Sequence, residues 1–325
     1  MPPDEPGLVS TWRSGGPLTA RVPVRVAAVA PRGRRRWWRR PQARYGLLFV
    51  SPALLLLLVF SALPALGGLA LSLTYFDLGT APRWAGLENY RGIAADGLFW
   101  RSVVNTLYYT AATLLPGLAL GLLLAQLATR RLRGVVFFRT TFYLPGLTST
   151  VAMSVVWLYL FAPLGLVNGL LYPLGLPRIH WFEDPNWAMP AIILNSLWRG
   201  VGSTMLIYIA GISGIPQSFY ESAWIDGASR WQTFRYITLP MLRPTTFLLF
   251  ILHLLGSFQV FEQVFILTSG GPAWATTTIV HQIYMNAFLK SQFGYAGAQA
   301  VLLLVVLALL SLLSFRMLPT EVEGK

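Results

Sequence analysis

Six stretches of this chain, roughly 46–73, 103–128, 136–161, 188–212, 243–267 and 298–317, are long and mostly apolar. A helix needs about 20 such residues to cross a bilayer. A backbone in hydrocarbon must satisfy its own polar groups, so spans of this kind can fold only as helices. The sequence therefore predicts an all-α polytopic membrane protein with six transmembrane helices. Composition agrees: 55% of the residues are hydrophobic and 11% charged, against about a quarter charged in soluble domains. The first stretch holds Pro52 and Pro64, and the third holds "YLPGL" at 143–147, where a kink is expected.

Charge sets the expected orientation. Arg130, Arg131, Arg133 and Arg139 lie between spans two and three, and Arg230, Arg235 and Arg243 between spans four and five. The opposite loops, 74–101 and 162–186, carry Asp77, Glu88, Asp96, Glu183 and Asp184. The positive-inside rule puts both termini and the 221–244 segment in the cytoplasm. Residues 1–45 form a basic cytoplasmic tail with ten arginines, read as disordered. Nucleic-acid binding is one reading of "RGRRRWWRR" (Arg32–Arg40); a tail held at an anionic membrane face is the plainer one, and no nucleic-acid partner is expected. A twin-arginine export signal is excluded by the length of the apolar stretch that follows. Residues 46–102 hold the first span and an external loop, 103–317 a five-helix core, and 318–325 a short cytoplasmic tail.

Several functions are excluded. There is no cysteine, so no disulfide framework or thiolate metal site. His180, His253 and His281 lack ligand spacing, and no metal site is expected. No HExxH, GxSxG or GxxxxGK[ST] pattern occurs. The chain is expected to be no enzyme and to bind no cofactor itself; any ATP must be bound by another chain.

The segment "ESAWIDGASRWQTFRYITLPMLRP" (Glu221–Pro244) is unusual between two spans. "SFYE" at 218–221 fits a capping box, with Ser218 opening a helix over 218–231. Tyr220, Ala223, Trp224, Gly227, Ala228 and Trp231 would form one stripe of small and aromatic residues. An interfacial helix on headgroups is the bland reading. However, Gly and Ala bury little area and permit close backbone approach, and Glu221 and Asp226 are unfavourable against anionic lipid. A helix that docks into a protein cleft suits both features.

Polar residues inside spans are functional candidates. Ser196, Arg199 and Ser203 share one face of span four, and His253 and Ser257 one face of span five. Trp198 and Phe258 are candidates to stack on a bound ring, with lipid-facing packing the plainer role for either alone. Glu262 and Gln263 lie near the external end of span five, in a candidate vestibule.

The 221–244 segment resembles the EAA loop of binding-protein-dependent ABC-transporter permeases, through Glu221, Ala223, Asp226, Gly227, Ala228, Ile237, Leu239 and Pro240, with Ser222 in place of an alanine. "GLENYR" (86–91), "NTLYYT" (105–110) and "LTSGGPAWATTTI" (267–279) are similar to the carbohydrate-importing branch, in its maltose-permease-F and glycerol-phosphate-permease-A type. The resemblance implies a type I ABC-importer permease fold in the cell inner membrane and import of a di- or oligosaccharide or glycerol phosphate. It implies a second permease subunit, two ABC ATPase subunits carrying ATP and Mg, and an extracytoplasmic substrate-binding protein. It implies that Glu221, Ser222, Ala223, Asp226, Gly227 and Ala228 couple to the ATPase, and that Ser196, Arg199, Ser203, His253 and Ser257 line the solute pathway. An ion-coupled secondary transporter is the competing reading, but Glu262 is its one intramembrane acid. A purely structural membrane scaffold explains the spans and leaves the 218–231 segment without a purpose.

Overall fold

The structure is a computed structural model that describes residues 41–77, 79, 81–129 and 133–316. The expected tails at 1–45 and 318–325 lie outside the described residues, apart from the helix that opens at Pro41. The chain forms two compact units, residues 1–59 and 60–325. The described part of the first is α1 (Pro41–Leu57), a leucine-rich helix with Pro52 inside it. A π-helical turn follows at Leu58–Ala62.

The second unit continues with α2 (Leu63–Ser72). A two-residue antiparallel ribbon, β1 (Thr74–Tyr75) and β2 (Arg83–Trp84), then reverses the chain. The helix α3 (Glu88–Ala95) is tied to this turn by Asn89, whose buried amide donates to the carbonyls of Ser72 (2.8 Å) and Thr74 (2.9 Å). Asp96 opens α4 (Gly97–Ala128) by accepting from the Leu98 amide at 2.8 Å. Its second oxygen accepts from the Tyr295 hydroxyl at 2.9 Å.

The third apolar stretch is not one straight helix. It forms α5 (Val135–Leu147) and α6 (Thr150–Leu160), bent by 100°. The break follows from Pro145 in the last turn of α5 and from extended backbone at Thr148 and Ser149. The open carbonyls are not left bare: the Thr148 hydroxyl donates to Pro145 O (2.7 Å), and Arg199 donates to Thr148 O (3.2 Å). A short α7 (Leu166–Leu171) and a 3₁₀ turn (Tyr172–Leu174) lead to α8 (Pro185–Ser213). Asp184 caps α8 through the Asn186 amide, with Pro185 at the first helical position.

After α8 come α9 (Gln217–Ile225), α10 (Arg230–Thr233), a π-helical turn (Phe234–Thr238), α11 (Leu239–Met241) and α12 (Arg243–Phe258). The α10–α11 stretch meets α12 at 63°. Then α13 (Glu262–Leu267), a loop, α14 (Ile279–Tyr284), a π-helical turn (Met285–Leu289) and α15 (Phe293–Arg316) complete the chain. Among the described residues, four helices are long and apolar enough to cross a membrane, at Tyr45–Ser72, Gly97–Ala128, Pro185–Ser213 and Phe293–Ser314. Counting each bent pair as one span makes six.

Close contact between α4, α5 and α8 rests on glycine. A Cβ on Gly121 of α4 would overlap the Thr204 side chain of α8. One on Gly202 of α8 would overlap the Phe142 carbonyl and the Tyr143 backbone of α5. These contacts bring α4, α5 and α8 together without bulky side chains between them. Leu114, Leu118, Ala125, Met205, Tyr208, Leu242 and Leu249 fill the core on one side. Tyr109, Trp157, Phe161, Met189, Ile192, Val260 and Val264 fill it on the other.

The loop from Thr268 to Thr278 is held by side-chain hydrogen bonds. Thr268 and Thr276 hydroxyls pair at 2.7 Å, Asn105 donates to Trp274 O and Thr277 O, and Thr277 pairs with His281. Burial holds the His281 imidazole below the ordinary histidine range. The ring sits where a Cβ on Gly270 would be, and Gly270 has φ +80°, so glycine is needed there twice over.

Candidate functional site

The faces of α4, α8 and α12 line an open cavity of about 430 Å³. Of the residues singled out from sequence, Ser196, Arg199 and Ser203 from α8, His253 and Ser257 from α12, and Gln263 from α13 all line it. Glu262 does not. It lies exposed beside a smaller adjoining cavity of about 290 Å³, which shares Tyr109, Gly256 and Gln263 with the first. Trp198 packs at 5.8 Å between ring centres against Trp157, Phe258 is buried, and neither lines the main cavity, so neither stacks on a solute there.

Three polar residues that sequence reasoning missed complete the wall: Tyr109 and Thr113 of α4 and Thr204 of α8. The Tyr109 hydroxyl donates to Ser196 Oγ at 2.8 Å, and Ser196 in turn donates to Ile192 O at 3.0 Å. Thr204 Oγ1 and His253 Nε2 share a hydrogen bond of 2.8 Å across the α8–α12 contact. Thr113 donates to Tyr109 O and Ser257 to Leu254 O. Tyr109, Thr113 and Gly117 are spaced four apart on α4, so the same face argument that found Ser196 and His253 applies to them. Leu197, Val201, Ile207, Leu249 and Leu252 supply the apolar part of the lining.

A second candidate surface is the α9–α10 loop. It is not one helix over 218–231. The helix α9 starts at Gln217 because Pro216, with extended ψ, occupies the capping position. Ser218 therefore lies inside the first turn and caps nothing, and Glu221 accepts from the Gln217 side chain at 2.8 Å instead of from a backbone amide. Asp226 ends α9, and Gly227 follows in the left-handed region at φ +73°. The Gly227 amide donates to Trp224 O (3.1 Å) and the Ala228 amide to Ala223 O (2.9 Å). That pair of bonds is a Schellman stop, which glycine permits at no steric cost. Ser229 then opens α10 with a capping box closed by Gln232.

This break splits the expected stripe. Ala223 is buried, and Tyr220 turns inward to bond Thr238 at 3.1 Å. Trp224, Ile225, Trp231 and Tyr236 turn outward and are 65%, 86%, 69% and 73% exposed. Glu221, Ser222, Asp226 and Gly227 are exposed beside them, with Ala228 half-buried. The loop thus offers an aromatic ridge flanked by two carboxylates.

Residues 117–323 match the family described as "Binding-protein-dependent transport system inner membrane component". The chain belongs to this family. The permease is similar to "Probable ABC transporter permease protein YesP" of Bacillus subtilis (strain 168), with 35% identity over 83% of this chain and 89% of that one. It is also similar to "Lactose transport system permease protein LacF" of Rhizobium radiobacter, with 35% identity over 83% of this chain and 92% of the other. Among solved structures, a chain of the bacterial alginate ABC transporter in complex with alginate pentasaccharide-bound periplasmic protein superposes with a TM-score of 0.78. The two are 27% identical over 87% of this chain and 96% of that one. The fold is that of the type I ABC-importer permeases, as the EAA-like segment implied. The permease is an inner-membrane component by family.

Proposed function

We propose that the permease forms one half of the pathway of an ATP-driven importer for a sugar or sugar-like solute, and that the α4–α8–α12 cavity is its solute site. The observation that carries this reading is the gathering of Ser196, Arg199, Ser203, His253, Ser257 and Gln263 on one cavity within otherwise apolar spans. The protons of Ser196, Ser257 and Thr113 are already given to neighbouring carbonyls. Their free lone pairs are left to accept from solute hydroxyls, while Arg199 and Gln263 supply donors. An apolar wall with a few convergent polar groups is what a sugar-sized ligand needs. The lactose permease among the relatives and the alginate transporter among the structures support the solute class.

A second permease subunit would close the other half. Two ABC ATPase subunits would bind ATP and Mg, and a substrate-binding protein would deliver solute from outside. The α9–α10 loop, with Glu221, Ser222, Ala223, Asp226, Gly227 and Ala228, would seat in an ATPase cleft. ATP closes the ATPase pair, and the preference of that closed state for one permease conformation shifts the inward–outward equilibrium. Both termini would lie in the cytoplasm.

The test is to express the permease with the transport genes beside its own, purify the complex, and measure ATPase stimulation by a panel of sugars. A stable complex with a second permease and ATPase subunits is expected. A permease that purifies alone, with no ATPase activity recovered, would overturn the reading. For orientation, a cysteine placed at His180 should react with a membrane-impermeant reagent from outside and one at Ile225 should not.

A further inference from the structure

We propose that the solute carries an anionic group, a carboxylate or a phosphate, and that Arg199 is the residue that selects it. This rests on the reading of the α4–α8–α12 cavity as the solute site.

Arg199 is the one permanently charged side chain among the described residues that line this cavity, and no Asp or Glu lines it. The ion pairs among the described residues, Arg91 with Glu88 and His180 with Glu183, leave Arg199 out. A guanidinium has five N–H donors in a planar fork. One Nη donates to Thr148 O at 3.2 Å, and Nε is buried without a partner. A half-buried cation with one long bond to a carbonyl and an orphaned N–H is costly inside a membrane span. The surrounding side chains do not relieve it: the one hydrogen-bond partner of Arg199 among the described residues is the Thr148 carbonyl.

Two anionic oxygens meet both the charge and the fork. Carboxylate and phosphate present that geometry and bind arginine in parallel hydrogen bonds, which a neutral hydroxyl cannot do. The bland role for Arg199 is to cap the open carbonyl at the α5–α6 break. That role uses one N–H and leaves the others, on a side chain that lines a cavity of about 430 Å³, without a task.

The experiment uses the complete complex in proteoliposomes with its binding protein. Uptake and ATPase stimulation are measured with digalacturonate, glycerol 3-phosphate and glucose 6-phosphate as anionic probes and with maltose and lactose as neutral ones. At least one anionic probe should be carried in preference to the neutral sugars. Arg199→Gln should raise the KM for it roughly tenfold or more, and Arg199→Lys should recover part of that loss. The carboxylate and phosphate arms distinguish the two sources of charge.

Uptake confined to neutral sugars, or no uptake of any probe at millimolar concentration, overturns the proposal. So does an anion preference that Arg199→Gln leaves intact. Loss of the second permease subunit in Arg199→Gln would show that Arg199 pairs with a partner's carboxylate instead, and also overturns it. Gly256→Trp separates this failure from failure of the cavity reading. A Cβ on Gly256 meets open space in the cavity wall, so the indole would fill it. If Gly256→Trp blocks uptake while Arg199→Gln changes nothing, the cavity stands and the anion selectivity falls. If Gly256→Trp transports normally, the cavity is not the route.

Discussion

In the cavity wall, polar side chains turn inward and are held by one another; in the α9–α10 loop, aromatic side chains turn outward and most of their surface is exposed. Tyr109, Ser196, Thr204 and His253 are each engaged within α4, α8 and α12. Their positions are set before any solute arrives. Trp224, Ile225, Trp231 and Tyr236 stand largely exposed, on the same segment as the exposed carboxylates of Glu221 and Asp226. The contrast teaches where each region finds its partner. Tyr109 on Ser196 and Thr204 with His253 are paired within the chain, so this part of the site is built in. An exposed aromatic ridge is completed only by another surface.

The largest effect that would break this comparison is at Gly202. Leucine there would drive a side chain into the Phe142 carbonyl, and overpacking costs about 1–3 kcal/mol, more where backbone must move. Gly202→Leu should remove most folded permease from the membrane, read by size-exclusion of a fluorescent fusion. Normal levels and a monodisperse peak would mean that the cavity wall does not depend on this close approach.

Next is the ridge. Trp224→Ala with Trp231→Ala should weaken ATPase-subunit retention by about 2 kcal/mol or more, the range of aromatic hot spots. Thermal stability of the permease alone should not move, because both side chains are already in contact with solvent. Ser257→Ala should do the reverse, altering uptake KM with retention intact. If the double tryptophan variant retains its ATPase subunits and Ser257→Ala releases them, the two regions have been assigned the wrong way round.

A smaller effect distinguishes a turn from a helix at Gly227. With φ +73°, alanine should destabilise the loop by about 1–2 kcal/mol. In an unbroken helix over 218–231, the same change would stabilise by about 1 kcal/mol. The sign of the shift in loop hydrogen exchange decides between them. The smallest effect is Ser229→Ala, about 1 kcal/mol from the lost cap. Faster exchange should be confined to the amides of α10; protection unchanged at Gln232 would mean that the capping box does not hold that turn.

The helices, and the residues that might face a solute, were legible because both follow local rules. Apolar length predicts spans, and spacing of three or four puts Ser196, Arg199 and Ser203 on one face. The 218–231 segment was misread for a local reason as well. Two S-x-x-E/Q patterns occur, at Ser218–Glu221 and Ser229–Gln232, and only the second caps. Pro216 moved the first start by a residue, and the Asp226–Gly227–Ala228 run is a stop signal that a search for a stripe overlooks.

By itself, then, the sequence determined where the long apolar helical stretches lie, which of their faces are polar, and that an EAA-like loop interrupts the spans. Those depend on residues a few positions apart. Only the tertiary structure decided that the α8 and α12 faces meet with Tyr109 and Thr113 on a single cavity, that Glu262 stands outside it, and that the third stretch turns through 100°. Each of these depends on contacts between residues tens of positions apart: Gly202 against Phe142, Thr204 with His253, Arg199 on Thr148 O. Periodicity along one helix says which residues share a face, and carries no term for the helix that the face will meet.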